Sequence, residues 1–177
     1  MKAAGVSTCR FSVFGRICGR SAHQTGVRAH PAGQRKAREQ IRVEVETLKK
    51  VQQTVDEILL VIDRQAKACG VPYYLFYGSA LGAIRHHGFI PWDDDADIVL
   101  FRKDFEKLRA YWAAHPVEGY FYQDTTTDPG YHVKITKIRK NGTAFVEPQL
   151  KDCDMHHGMF VDIFVLDDYV ENAFLRR

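Results

Sequence analysis

Residues 73–101 read YYLFYGSALGAIRHHGFIPWDDDADIVLF, and this stretch contains the pattern from which the fold is best predicted. The aromatic run Tyr73–Tyr77 is typical of a short strand, and the glycine and serine that follow interrupt it. Ala80–His87 suits a short helix, and Asp95–Phe101 suits a second strand. Strand, helix and strand in such close succession predict a protein that combines helices with a sheet.

A long helix is predicted before this stretch. Apolar residues recur there at steps of three or four, which places them on one helix face, while Glu, Lys, Gln and Arg fill the other face. Gly70 supplies a stop, and Pro72 prevents continuation. Packing on the following domain and pairing in a coiled coil both fit this helix. Its apolar stripe comprises Ile41, Val45, Leu48, Val51, Val55, Ile58, Ile62, Ala66 and Cys69.

A β-hairpin is predicted after the quoted stretch. Tyr131–Arg139 alternates apolar and polar residues, as a half-buried strand does. Asn141 and Gly142 are typical of a type I′ turn, after which Thr143–Glu147 would return as the second strand.

The remaining elements complete the predicted fold. Lys103–Ala114 is an amphipathic helix, and Tyr120–Gln123 and Gly158–Leu166 are strands, the latter the most apolar of the chain. We therefore predict an α+β fold with a mixed β-sheet, helices packed on it, and a long N-terminal helix before it.

Carboxylates cluster at the start of the second strand. Asp95 and Asp97 are two residues apart, so the period of a strand turns both side chains to one face. Asp162 lies in the apolar run FVDIF, where a buried carboxylate needs a partner or a metal ion. If the strands that carry them are neighbours, the three acids converge on a seat for Mg²⁺, a cation that prefers oxygen ligands.

Other interpretations of these residue types stay open. A solvated acidic turn or a helix N-cap would suit Asp93 or Asp94. A calcium loop counted from Asp93 would need Gly at its sixth position, where the chain has Ile98. A zinc site lacks a second pair of ligands; its candidates would be Cys153, His156 and His157.

Gly78 and Ser79 join the first strand to its helix. Backbone N–H groups and a hydroxyl at a helix N-terminus can cradle a phosphate group. Followed by a strand-borne pair of acids and a third acid on a separate strand, this arrangement resembles the nucleotidyltransferase fold.

The resemblance becomes narrower over residues 77–98. YGSALGAIRHHGFIPWDDDADI is similar to the signature of the LicD family, which includes fukutin and the fukutin-related protein. The similarity runs from about Leu48 to Asp167, through RKDFEKL, KIRKNGTAF and HHGMFVDIFVLD. Several long motifs in the correct order argue against chance.

This resemblance implies an activity. Members of the family transfer a phosphorylated small alcohol of the phosphocholine, ribitol phosphate or glycerol phosphate type from a CDP-linked donor to a glycan hydroxyl, and CMP leaves. It further implies that Asp95 and Asp97 hold Mg²⁺, with Mn²⁺ as an alternative, and that Asp162 is a third metal ligand or a base. Gly78 and Ser79 would bind donor phosphate.

Three basic residues could supply further positive charge near the donor phosphates, namely Arg85, Lys137 and Arg139. For each of them, an ordinary charged position on the protein surface is the alternative interpretation. Two other functions remain open. One is a nucleotidyltransferase that releases pyrophosphate, and the other is a truncated, non-catalytic module that binds a nucleotide or a partner.

Charge and length give the predicted domain organisation. Of the 25 basic and 22 acidic residues, residues 1–38 hold eight basic and no acidic ones, so the rest of the 177-residue chain carries a net charge of −5. Nucleic-acid binding is therefore not predicted. We predict a basic extension over residues 1–34, disordered or weakly transit-peptide-like, and a LicD-like domain over residues 35–177 that is incomplete at its C-terminus.

No apolar run is long enough to predict a transmembrane segment. The cytoplasm and the secretory-pathway lumen both stay open as compartments, and the oligomeric state is not predicted.

Overall fold

The structure, a computed structural model, describes residues 31–169, without the side chains of residues 31–41 and 43. Most of the predicted basic extension, residues 1–30, therefore lies outside the described residues, and the first helix spans the predicted boundary between residues 34 and 35. The elements, in chain order, are α1 Pro31–Cys69, β1 Tyr74–Leu75, α2 Tyr77–Arg85, β2 Asp97–Phe101, α3 Arg102–Ala114, β3 Tyr120–Gln123, β4 Thr136–Lys140, a short 3₁₀ helix Pro148–Leu150, and β5 Phe160–Leu166.

The five strands form one mixed sheet in the order β1-β2-β5-β4-β3. β2 and β5 run parallel, whereas the other three pairs are antiparallel. The predicted α+β class, with a mixed sheet, packed helices and a long N-terminal helix, is confirmed. Among residues 31–169, no helix combines the length and the apolar character needed to cross a bilayer.

The core lies between one face of the sheet and two helices. α1 contacts β4 and β5, and α3 contacts β2 and β5. Because successive strand residues point to opposite faces, one set of alternate residues fills this core and the other set faces away from the helices. The buried strand residues of the core are Ile98, Leu100, Ile138, Val161 and Ile163, and they meet Ile58 and Ile62 of α1 and Phe105, Leu108 and Trp112 of α3.

The apolar stripe of α1 is buried along part of its length only. Val55, Ile58, Ile62 and Ala66 are buried, whereas Val45 is 43% exposed. The side chain of Ile41, which the stripe also included, lies outside the described residues. The C-terminal half of the helix therefore anchors it to the domain.

The predicted hairpin is wrong. The strand begins at Thr136 rather than Tyr131 and pairs with β3 on one side and β5 on the other, so it has no free edge for a returning segment. A turn is present at this point, but it is not of type I′, because Gly142 has a positive φ of 71° whereas Asn141 does not. Beyond it, the chain lies over the sheet; Phe145 N donates to His157 O at 2.7 Å, and the Phe145 and Phe160 rings are 5.4 Å apart. We call residues 141–158 the covering segment.

Candidate active site

The face of the sheet opposite the two helices carries the predicted acids. Asp97 of β2 lies directly opposite Asp162 of β5 in the parallel pair. Lys137 of β4 lies opposite Asp162 in the antiparallel pair on the other side. All three therefore share one face, at one level across three adjacent strands. Asp162 is fixed there by its backbone N–H, which donates to Ala96 O at 3.0 Å.

Asp95 lies in the loop before β2, because the strand begins at Asp97 and not at Asp95 as predicted. Its carboxylate joins those of Asp93 and Asp94 in a group whose oxygen atoms all lie within 4.8 Å of one another. Among the residues whose side chains are described, these three form the group that meets this limit, and Asp97 and Asp162 are not part of it. Asp95 thus lies between a loop cluster and the strand acids. The sequence interpretation left a solvated turn or an N-cap open for Asp93 or Asp94 and did not include them in the site.

The carboxylates of the site repel one another in a partly buried setting. Burial, Asp95 and Asp162 raise the pKa of Asp97 to about 7, and Lys137 acts in the opposite direction. Burial, then Asp93 and Asp94, raise the pKa of Asp95 to about 6. Burial also raises the pKa of Asp162, although Lys137 opposes this. Hard oxygen ligands with uncompensated negative charge fit a divalent cation such as Mg²⁺.

Gly78 and Ser79 lie in the first turn of α2, which begins at Tyr77, three residues earlier than predicted. The Ser79 hydroxyl accepts a hydrogen bond from Asp97 N at 2.8 Å, so it ties the helix to the first residue of β2. A Cβ atom at Gly78 would lie 2.8 Å from Asp93 Oδ2, so Gly78 directly adjoins the acidic loop. Both residues therefore lie beside the acids, as the predicted phosphate cradle requires.

The three basic candidates have different surroundings. Lys137 is buried, and its Nζ donates to Asp162 Oδ1 at 2.6 Å. Arg139 is also fully buried, so a surface position is wrong for both. Arg139 NH1 donates to Gly158 O at 2.6 Å, and its other nitrogens contact Gln123 and Glu147. Because these contacts occupy its guanidinium group, Arg139 serves the structure and not a phosphate.

Arg85 is exposed at the far end of α2, about 10 Å along the helix axis from Gly78. Its Nε lies 3.4 Å from His86 Nδ1. The structure therefore does not place Arg85 with the acids.

Two side chains that contact the site were not predicted from the sequence. Gln52 of α1 donates to Asp93 O at 2.9 Å and to Ile90 O at 3.2 Å, so it holds the acidic loop. Glu147 of the covering segment lies 3.5 Å from Lys137 Nζ. Each contact joins distant parts of the chain, and no local sequence pattern signals it.

The residues considered for zinc form hydrogen bonds with the protein. His156 Nδ1 accepts from Gly158 N at 3.0 Å, and its Nε2 lies 2.9 Å from Asn141 Oδ1. His157 Nε2 lies 3.0 Å from the backbone oxygen of Cys153. Both ring nitrogens of His156 are thus occupied, which favours a role in fixing the covering segment.

Comparisons with known proteins identify the family of the chain. The sequence profile of the family described as "LicD/FKTN/FKRP, nucleotidyltransferase domain" matches residues 70–174. The chain is 33% identical over 99 residues to the lipopolysaccharide cholinephosphotransferase LicD of Haemophilus influenzae, covering 55% of this chain and 36% of that protein. It is 34% identical over 76 residues to the ribitol 5-phosphate transferase FKRP of Mus musculus and of Homo sapiens, covering 40% of this chain and 15% of each relative. The chain thus matches about a third or less of the length of these relatives.

Proposed function

The chain belongs to the LicD/FKTN/FKRP nucleotidyltransferase-domain family, and from this premise we propose that it is the phosphotransferase domain of an enzyme that modifies glycoconjugates. The named relatives share the transfer of a phosphorylated small alcohol, choline phosphate in one case and ribitol 5-phosphate in the other. For this chain, the proposed reaction moves such a group from a CDP-linked donor to a glycan hydroxyl and releases CMP.

The observation that carries this proposal is the register of the parallel β2–β5 pair. It sets Asp97 opposite Asp162, beside Asp95 and beside the Ser79 hydroxyl. Acids on adjacent strands next to a helix N-terminus supply both a cation seat and a contact for phosphate oxygens.

In the proposed mechanism, Asp95 and Asp97 hold Mg²⁺ or Mn²⁺, with Asp162 as the third ligand or as the base for the acceptor hydroxyl. A divalent cation held by these residues would supply positive charge to the donor diphosphate and to the departing CMP. Lys137 occupies Asp162 Oδ1, which leaves the second oxygen for the cation or for the proton of the attacking hydroxyl. Gly78 and Ser79 orient the donor phosphate through the first turn of α2.

The test is CMP release from CDP-choline, CDP-ribitol and CDP-glycerol with Mg²⁺ and a glycan acceptor. Asp95→Asn and Asp97→Asn should each lower the rate at least about 100-fold, because the cation seat loses a charged ligand. Glu118→Gln, which removes the same charge from an exposed position, is the matched control and should retain activity.

Three outcomes would contradict the proposal. Unchanged rates in both Asp variants would reject these ligands. Pyrophosphate released from a nucleoside triphosphate would indicate a nucleotidyltransferase. Donor binding by calorimetry with no CMP formed would indicate a non-catalytic binding module.

A further inference from the structure

A chain of alternating charges leads away from the candidate metal seat into the covering segment. Asp162 Oδ1 accepts from Lys137 Nζ at 2.6 Å, and Lys137 Nζ lies 3.5 Å from Glu147 Oε1. Glu147 Oε2 in turn accepts from Arg139 NH2 at 3.2 Å. In this row of four side chains, each carboxylate thus contacts a cation, and each cation contacts a carboxylate.

These side chains are enclosed. The side chain of Lys137 is 3% exposed, that of Arg139 is 0% exposed, and that of Glu147 is 15% exposed. Both cations lie over the Phe160 ring, with Lys137 Nζ at 3.5 Å and Arg139 Cζ at 4.8 Å from its centre. Because water cannot replace the partner of an enclosed charge, each charged group is stabilised by the neighbouring side chains alone.

The backbone of Glu147 is also fixed. Pro148 follows it and restricts it to an extended conformation, which agrees with its φ of −69° and ψ of 124°. Arg139 is anchored by Gln123 and by Gly158 O, so it is a fixed support for the Glu147 carboxylate. Glu147 therefore presents its other oxygen to Lys137 from a rigid position.

Lys137 is shared by two carboxylates, and only one of them belongs to the metal seat. A divalent cation on the second oxygen of Asp162 would share the single negative charge of this carboxylate with Lys137 on Oδ1, so the ammonium group and the cation compete for that charge. Without a second partner, the enclosed ammonium group would hold Asp162 and compete with the cation.

We propose that Glu147, braced by Arg139, is a positioning residue that holds Lys137 and so frees Asp162 to bind the divalent cation. This inference rests on the proposed function, because it concerns the same metal seat.

The test measures Mn²⁺ binding to the full chain by electron paramagnetic resonance. Glu147→Gln, which retains an acceptor for Arg139, should raise the dissociation constant about fivefold or more, because Lys137 then holds Asp162 more tightly. Asp152→Asn, an exposed charge removal in the same segment, is the control and should change it less than about twofold. Lys137→Met should lower the dissociation constant, because Asp162 loses its competitor.

A double-variant cycle separates positioning from a general charge effect. In the Lys137→Met background, Glu147→Gln should have no further effect, because the residue through which Glu147 acts is gone. Equal weakening by Glu147→Gln in both backgrounds would overturn the inference, as would a Glu147→Gln value equal to that of Asp152→Asn. If Glu147→Gln proves unfolded by circular dichroism, Glu147→Asp replaces it: the shorter side chain withdraws the carboxylate from Lys137 Nζ and should raise the dissociation constant, and a value equal to that of the wild type would overturn the inference.

The same titration distinguishes this inference from the proposed function. Wild-type protein that binds no Mn²⁺ would reject the metal seat itself, and the inference with it. Wild-type binding that Asp97→Asn abolishes but Glu147→Gln leaves unchanged would reject only the role of Glu147.

Discussion

Asp97 has the most unfavourable electrostatic surroundings of the predicted ligands. It is half-buried beside Asp95 and Asp162, with Asp93 also close, and Lys137 is the cation that opposes them. These surroundings hold its pKa near 7, so the metal-free protein keeps a proton that an exposed aspartate would release. Ionisation of Asp97 at neutral pH therefore lowers the free energy of unfolding, and a bound cation would offset this loss.

The stability penalty of Asp97 should depend on pH. Below the unfolded-state pKa of 3.8 both states are protonated and there is no penalty, and above the folded-state pKa of about 7 the penalty is complete. Without divalent ions, Asp97→Asn should therefore stabilise the protein increasingly as pH rises through this range, by about 1–2 kcal/mol at the upper end after allowance for solvent screening.

Urea unfolding with EDTA at about pH 4 and about pH 8 checks this prediction. Glu118→Gln, at an exposed position, serves as the control. A stability difference between Asp97→Asn and wild type that stays constant or shrinks as pH rises would contradict it.

At the residue level, the sequence predicted the acids better than the cations. Asp95 and Asp97 could be selected from their spacing and Asp162 from its apolar strand, and the roles of all three stay predictions. Arg139 was assigned to phosphate or to the surface because alternation along β4 does not show what lies above that face. Its true partners, Gln123, Glu147 and Gly158, come from separate parts of the chain.

At the scale of elements, β4 explains both the failed prediction and the buried cations. The alternation of Tyr131–Arg139 correctly indicated a strand, although only Thr136–Lys140 forms one. Gly142 correctly indicated a turn, although not one of type I′, and a turn does not determine which strands become neighbours. β3 and β5 occupy both edges of β4, and the displaced return segment lies over the site.

The interior position of β4 gives a prediction for Arg139. Arg139→Met should lower the free energy of unfolding by about 3–5 kcal/mol, because it leaves Glu147 Oε2 and Gly158 O without their cationic donor in an enclosed region. Arg64→Met, at an exposed position of α1, should change it by no more than about 0.5 kcal/mol. Guanidinium unfolding of both variants is the measurement, and equal losses would contradict a buried structural role for Arg139.

At the scale of the whole molecule, the two faces of the sheet have different roles. One face carries the apolar core under α1 and α3, and the other carries the acids, Lys137 and the covering segment. The sequence predicted the class and most elements, since hydrophobic periodicity is local. It did not predict the strand order, because the pairing of β2 with β5 joins residues far apart in the chain.

The uneven burial of α1 gives a prediction at this scale. Ile58 is 0% exposed between the helix and the sheet, so Ile58→Ala should destabilise the protein by about 2–4 kcal/mol. Val45 lies on the same helical stripe but is 43% exposed, so Val45→Ala should change stability by no more than about 0.5 kcal/mol. Thermal and urea unfolding of the two variants compare them directly, and similar losses would show that the helix is anchored along its whole length.

The position of β5 has a consequence for biosynthesis. Among the strands of residues 31–169 it is the last to be made, yet it lies in the centre, between β2 and β4. Until Phe160–Leu166 leaves the ribosome, β2 and β4 present unpaired backbone edges and apolar side chains to the cell. A nascent chain that stops short of β5 therefore lacks both the central strand of the described sheet and Asp162, and we expect it to need shielding from aggregation.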